Sequence, residues 1–112
     1  LSFAIESTSG TSASAQNQLQ VVALLAERDV LRYTPAGIPI VTARLQHQSE
    51  QVEAGIKRQV EFDIAAMAAG EISGRLNRAA LGATFRFTGF LARRNRNSKS
   101  VVFHIVDFDP VG

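Results

Sequence analysis

The sequence predicts an all-β fold in the main, with five strands and a short helical connection between strands 3 and 4. Three observations predict it. Apolar and polar residues alternate with period two in several segments, the mark of strands with one buried face. Proline and glycine punctuate those segments at turn positions. One Ala-, Met- and Gly-rich stretch, 65–81, interrupts the alternation. At 112 residues the chain has the length of one domain and can bury one core.

Residues 7–17, STSGTSASAQN, are small and polar without period. They bury too little surface to offset their ordering entropy, so residues 1–17 are expected to form a flexible arm and 18–109 the folded domain. The SFAI segment at 2–5 could pair at a sheet edge. QLQVVALLAE from Gln18 suits strand or helix by composition, and the turn after it decides for strand. In RYTPAGIPI, Pro35 presets φ for a turn and Gly37 permits positive φ two residues on. Pro39 favours an extended exit. IVTARLQHQ then alternates, with Val41, Ala43 and Leu45 against Thr42, Arg44 and Gln46. SEQVEAG, 49–55, reads as a polar loop ending in Gly55.

IKRQVEFDI puts Lys57, Gln59, Glu61 and Asp63 on one face. Its other face is apolar apart from Arg58. AAMAAGEISGRLNRAAL reads as a short helix interrupted by Gly70 and Gly74. ATFRFTGFLA places Phe85, Phe87, Gly89 and Leu91 on one face and Arg86, Thr88 and Phe90 on the other. A glycine inside a strand marks a bulge or sharp bend. SVVFHIVDF is the last strand. Five strands in this order, with a strand glycine for bending, suit the five-stranded Greek-key barrel known as the OB-fold. An open sheet packed on one helix is the alternative.

Composition excludes several functions. With no cysteine there is no disulfide framework, zinc–thiolate site or thiol nucleophile. That fits a cytoplasmic protein, and fits other compartments too. No apolar run approaches the roughly 18 residues that span a bilayer, and no basic start precedes an apolar run, so neither membrane nor signal peptide is expected. His47 and His104 lie in strand patterns without a serine–acid constellation. A lone strand histidine is usually structural, and no catalytic site is expected. No phosphate-cradling glycine loop and no metal-ligand spacing occurs, so neither cofactor nor metal is expected.

Net charge is only +2, but it is unevenly placed. Residues 1–71 carry five cations and eight anions, whereas 72–106 carry seven cations and no anion. A stretch this basic points to an anionic partner. In an OB barrel the ligand groove lies over strands 2 and 3 and the 1–2 and 4–5 loops. Here those elements supply Arg32, Tyr33, Arg44, Lys57 and Arg58, then Arg93, Arg94, Arg96 and Lys99. Arginine neutralises phosphates of varying spacing, and bases need flat faces to stack on. Tyr33 and Phe90 are the candidate platforms, packing being the alternative role for each. Asn95, Asn97 and Ser98 are expected to keep the basic loop flexible.

The residues TPAGIP (34–39), Leu45–His47, SEQVEAGIKRQ (49–59), Gly89–Phe90, the basic loop and His104 together resemble one family over residues 18–108. It is that of primosomal replication protein N, the PriB family of single-stranded-DNA-binding proteins. The resemblance implies a homodimeric OB-fold that binds single-stranded DNA across both subunits. It also implies contacts with the restart helicase and with the next primosome component, which loads the replicative helicase. Arg32 matches the family's basic position before the turn. Arg93, Arg94, Arg96 and Lys99 match its basic loop, here shorter. Ile56 matches the apolar or aromatic position after EAG. Glu61 stands where better-known members have tryptophan, and Gln48 where they have a basic residue. Both changes imply modest DNA binding and a greater reliance on the helicase partner. Two further readings stay open: a protein-interaction adaptor with weak nucleic-acid binding, and an RNA-binding module.

Overall fold

The computed structural model describes residues 15–111, and these build one closed sheet. Its strands are β1 (Leu19–Arg28), β2 (Arg32–Tyr33), β3 (Pro39–Glu53), β4 (Ile56–Ala69), β5 (Thr84–Arg93) and β6 (Val101–Pro110), with helix α1 (Glu71–Arg78) between β4 and β5. The order across the sheet is β1–β5–β6–β4–β3–β2, and β1 also pairs with β3. That last pairing closes a barrel from the five long strands and removes the open-sheet alternative. The helix lies between the third and fourth of them, as expected. The SFAI segment and most of the expected arm lie outside the described residues.

Closure depends on β1 serving two neighbours. Leu19–Leu24 pair with β5 and Leu24–Arg28 with β3, with a register shift between Leu25 and Glu27 where the strand bends. The parallel contact of Ala66 and Met67 with Phe103 and His104 joins β4 to β6. Inside sit Leu25, Val41, Leu45, Phe87 and Phe103, all fully buried. Helix α1 packs on β3, β4 and β6 and adds the buried Leu76. Its last carbonyls are capped from β1: the Arg28 guanidinium donates to the oxygens of Leu76, at 3.1 Å, and of Ala79.

Three local expectations change. Residues 49–53 are strand rather than loop, because β3 and β4 stay paired to the Glu53–Ile56 rung. The turn is only Ala54–Gly55, both with positive φ (54° and 76°), the two-residue geometry that matches strand twist. Polar residues alternate there because the hairpin outruns the core. Residues 65–69 are strand rather than helix. Ala66 and Ala68 are buried in the barrel wall, and pairing to β3 on one side and β6 on the other outweighs the helix preference of alanine and methionine. Gly70 and Gly74 do not interrupt the helix. Gly70, at φ 82°, is its N-cap and Gly74 lies inside it.

Candidate nucleic-acid interface

A groove of about 560 Å³ crosses the outer face of the barrel between the β1–β2 connection and the β5–β6 loop. Its floor is small and apolar: Ala43, Ala65, Ala66, Ala92 and Val102, with Met67. Small side chains on adjacent strands leave the depression. Arg32 and Arg44 stand on one wall, and Arg93 and Arg94 on the other. Topology therefore joins cations from three separate parts of the sequence. Arg93, Arg94, Arg96 and Lys99 are exposed, and among the described residues none of them forms an ion pair.

The basic loop is held by its own backbone. Arg94 N–H donates to the Ser100 carbonyl at 3.1 Å and Ser98 N–H to the Asn95 carbonyl at 3.1 Å. Asn95 Oδ1 accepts from Asn97 N–H at 2.9 Å, and Ser98 Oγ from Ser100 N–H at 3.0 Å. Asn95 and Ser98 thus shape the loop instead of loosening it, since short polar side chains stand in for turn hydrogen bonds.

Groove charge is partly cancelled from within. Glu27 lies opposite Arg44 in the β1–β3 register, with Nε 3.9 Å from Oε1. Asp29 also lines the groove and accepts 2.7 Å from Thr42 Oγ1. The sequence shows no such pairing, because Glu27 and Arg44 meet only when β1 bends onto β3.

The remaining expected residues go elsewhere. Tyr33 is 67% exposed and follows Arg32 on a two-residue strand, so alternation turns it to the opposite face. Ile56, Lys57 and Arg58 sit at the hairpin tip, with Arg58 held to Glu53 at 2.7 Å. Lys57 shares the hairpin face of Ala65 but is eight residues away along β4, roughly 26 Å at about 3.3 Å per residue. The face between them carries the rungs Gln46–Asp63, Gln48–Glu61 and Glu50–Gln59. Asp63, Glu61 and Glu50 thus separate the tip from the groove, and Glu61 does occupy the face of Arg44. Phe90 is 38% exposed and stacks on His104, which lines the groove.

The two histidines differ. Both ring nitrogens of His47 are engaged, Nδ1 2.7 Å from the Val22 carbonyl oxygen and Nε2 2.7 Å from Ser49 Oγ. That is the structural role expected of it. Among the described residues His104 has no side-chain hydrogen bond, and it faces the groove. Sequence reasoning missed it, since the position of a strand histidine on an inner or outer face depends on register. No group of three or more metal-binding side chains comes together among the described residues, and no helix there is long and apolar enough to cross a membrane.

A family model described as a single-strand binding protein family matches residues 17–107. Replication restart protein PriB of Nitrosomonas europaea is 38% identical over 92 residues, 82% of this chain and 85% of that relative. The chain belongs to the PriB family. The PriB of Bordetella pertussis is 39% identical over 89 residues, 80% of this chain and 83% of that relative. Among solved structures, PriB from Ralstonia solanacearum is 46% identical with a TM-score of 0.80, covering 88% of this chain and all of that one (100%). The single-stranded DNA binding protein from Thermus aquaticus, 26% identical with a TM-score of 0.69, covers 89% of this chain and 52% of that one. Membership in the PriB family agrees with the OB-type barrel and with the resemblance carried by the TPAGIP and EAGIKRQ segments.

Proposed function

We propose that this PriB-family chain is a non-enzymatic, cytoplasmic, single-stranded-DNA-binding accessory protein of the replication-restart primosome, which stabilises the restart helicase on DNA. The observation that carries the reading is the apolar-floored groove flanked by Arg32, Arg93 and Arg94, with Arg96 and Lys99 on the adjoining loop. Phosphates would meet the guanidinium groups while bases lie against the floor, a division of labour common to single-strand binders. Names borne by the relatives support the restart role. The acidic rungs of the hairpin, the Glu27–Arg44 pair and the absence of an aromatic at Glu61 all lower affinity. We place Arg32, Arg44, Arg93, Arg94, Arg96, Lys99 and Phe90 on the DNA path. Ile56, Lys57 and Arg58 form a separate contact at the tip.

A salt titration of binding to a labelled dT oligomer tests this. Arg32, Arg93, Arg94, Arg96 and Lys99 predict a log–log slope near −3.5, from about −0.7 per phosphate on single strands. Replacing Arg93, Arg94 and Lys99 with alanine reduces it by about 2. Nanomolar binding at physiological salt would contradict the modest affinity. The adaptor reading has the basic loop meet an acidic patch on the helicase, since carboxylates suit arginine as well as phosphates do. It wins if the triple variant keeps its DNA affinity but no longer stimulates the helicase. Tighter binding of the matched ribo-oligomer would favour an RNA module. Dimerisation accords with the exposed Val22 on β1; β1 is paired on both sides, so such a contact would use its outer face. A monomer by light scattering at micromolar concentration would exclude it.

A further inference from the structure

We propose that His104 and Phe90 form a single stacking platform for an unpaired nucleobase at the edge of the groove. The proposal rests on the single-strand-binding reading and assigns the base contact that Glu61 does not provide. The two rings belong to cross-strand partners on β6 and β5. Their centroids are 4.9 Å apart and their planes differ by 9°, so they form a two-layer stack. Register carries the row further: Phe90 pairs with His104, His104 with Met67, and Met67 with Thr42. Met67, Thr42 and His104 all line the groove. One step along, Ala92 pairs with Val102, and Arg93 and Arg94 follow directly in sequence. A flat apolar surface therefore borders the guanidinium groups that would take the phosphates.

Cross-strand aromatic pairs also stabilise sheets, so the alternative role is structural. The core aromatics show what that role looks like here: Phe85, Phe87 and Phe108 pack on one another inside the barrel, two of the three contacts at 65° and 85°. A second stacked pair, His47–Phe62, lies on the core-side face of the hairpin and is tied down through both imidazole nitrogens. The Phe90–His104 pair differs on both counts. It points outward, with Phe90 38% exposed, and His104 makes no side-chain hydrogen bond among the described residues. Its imidazole lies next to a surface that a base can cover. Stacking of this kind tolerates any base, because every base has a flat face.

The test compares a labelled dT oligomer with an oligomer of equal length made of abasic nucleotides, by fluorescence anisotropy on the full chain. Phosphates are the same in both, so the affinity ratio isolates the bases. Wild type is expected to favour dT. Phe90→Ala and His104→Ala should each weaken dT binding by about 5- to 100-fold, leave abasic binding within about 2-fold, and leave the salt slope unchanged. The double variant should lose little more than either single one, because residues acting as a unit are non-additive. Phe90→Leu and His104→Gln keep bulk in the sheet and give the same pattern if an alanine variant fails to fold. Equal loss for both oligomers, or unchanged dT binding, overturns the platform. Equal wild-type affinity for dT and abasic oligomers also overturns it while leaving phosphate-driven binding intact. No wild-type binding to either oligomer removes both readings.

Discussion

Gly89→Ala should unfold much of the barrel's stability in one methyl group. Gly89 lies where the β5–β6 register shifts, between Thr88 and Gly89, and is buried beside Phe103. A Cβ at this position would stand 1.8 Å from the His104 carbonyl oxygen, 2.8 Å from its carbonyl carbon and 3.0 Å from Phe103 Cε1. The first two are backbone atoms, so no side-chain rotation relieves the clash. Reaching an ordinary C···O separation of about 3.3 Å requires β5 and β6 to part by about 1.5 Å. Adjacent strands are only about 4.8 Å apart, so ladder hydrogen bonds break as well. Overpacking of about 1–3 kcal/mol with one or two lost hydrogen bonds of about 1 kcal/mol each gives a cost of about 2–5 kcal/mol. For a domain of this size that lowers Tm by at least about 8 °C. Thermal unfolding by circular dichroism measures it. Gly74→Ala is the control: its Cβ would meet only the flexible end of Arg78 at 3.4 Å, and alanine favours the helix by about 0.5–1 kcal/mol. A Gly89→Ala protein melting within about 3 °C of wild type would refute the reasoning.

Arg28→Ala removes the guanidinium that donates to the Leu76 and Ala79 carbonyls. It should cost about 1.5–3 kcal/mol in urea unfolding, with the salt slope of DNA binding unchanged, because this arginine is spent on the helix end. Glu27→Gln frees Arg44 from its carboxylate neighbour. Affinity for a dT oligomer should rise about 1.5- to 5-fold at low salt, the scale of an exposed ion pair of about 0.2–1 kcal/mol, and the gain should vanish at high salt. Asp107 accepts from Arg75 at 2.9 Å, which, with the Phe108 N–H, holds its carboxyl below the ordinary 3.8. A carboxylate with a depressed folded pKa adds stability above its unfolded value, and the contribution disappears as pH falls through the folded one. Asp107→Asn should therefore melt below wild type near neutral pH, and the difference should close in the acid range below 3.8.

Much of the barrel was legible because the relevant signals are local. The Pro35–Gly37 turn works through dihedral preference: Gly37 takes φ 86° and β3 starts at Pro39. Alternation in 84–91 buries Phe85 and Phe87 and exposes Arg86 and Phe90. The strand glycine falls at the bulge for a steric reason visible in the sequence type alone. The hairpin and Ala-rich segment were misread for one common reason. In both, local composition argued for loop or helix while distant partners supplied the hydrogen bonds. Nothing in residues 65–69 announces that β6 will pair beside them.

The basic stretch 72–106 shows the same division. Its charge is covalent information, and Arg93 and Arg94, at the end of β5 and the start of its loop, line the groove. Other cations in that stretch are used otherwise, as Arg75 is on Asp107 and over the Phe108 ring at 4.6 Å. Sequence by itself determined the strand set, the turns, the excess charge and the family, because each depends on residue type and short-range order. Tertiary structure alone decided which charges share a surface. It paired Glu27 with Arg44, sent Lys57 and Arg58 to a distant tip behind three carboxylates, and laid His104 against Phe90. Those are contacts between residues far apart in the chain, and they depend on strand register, which a one-residue slip would turn to the other face.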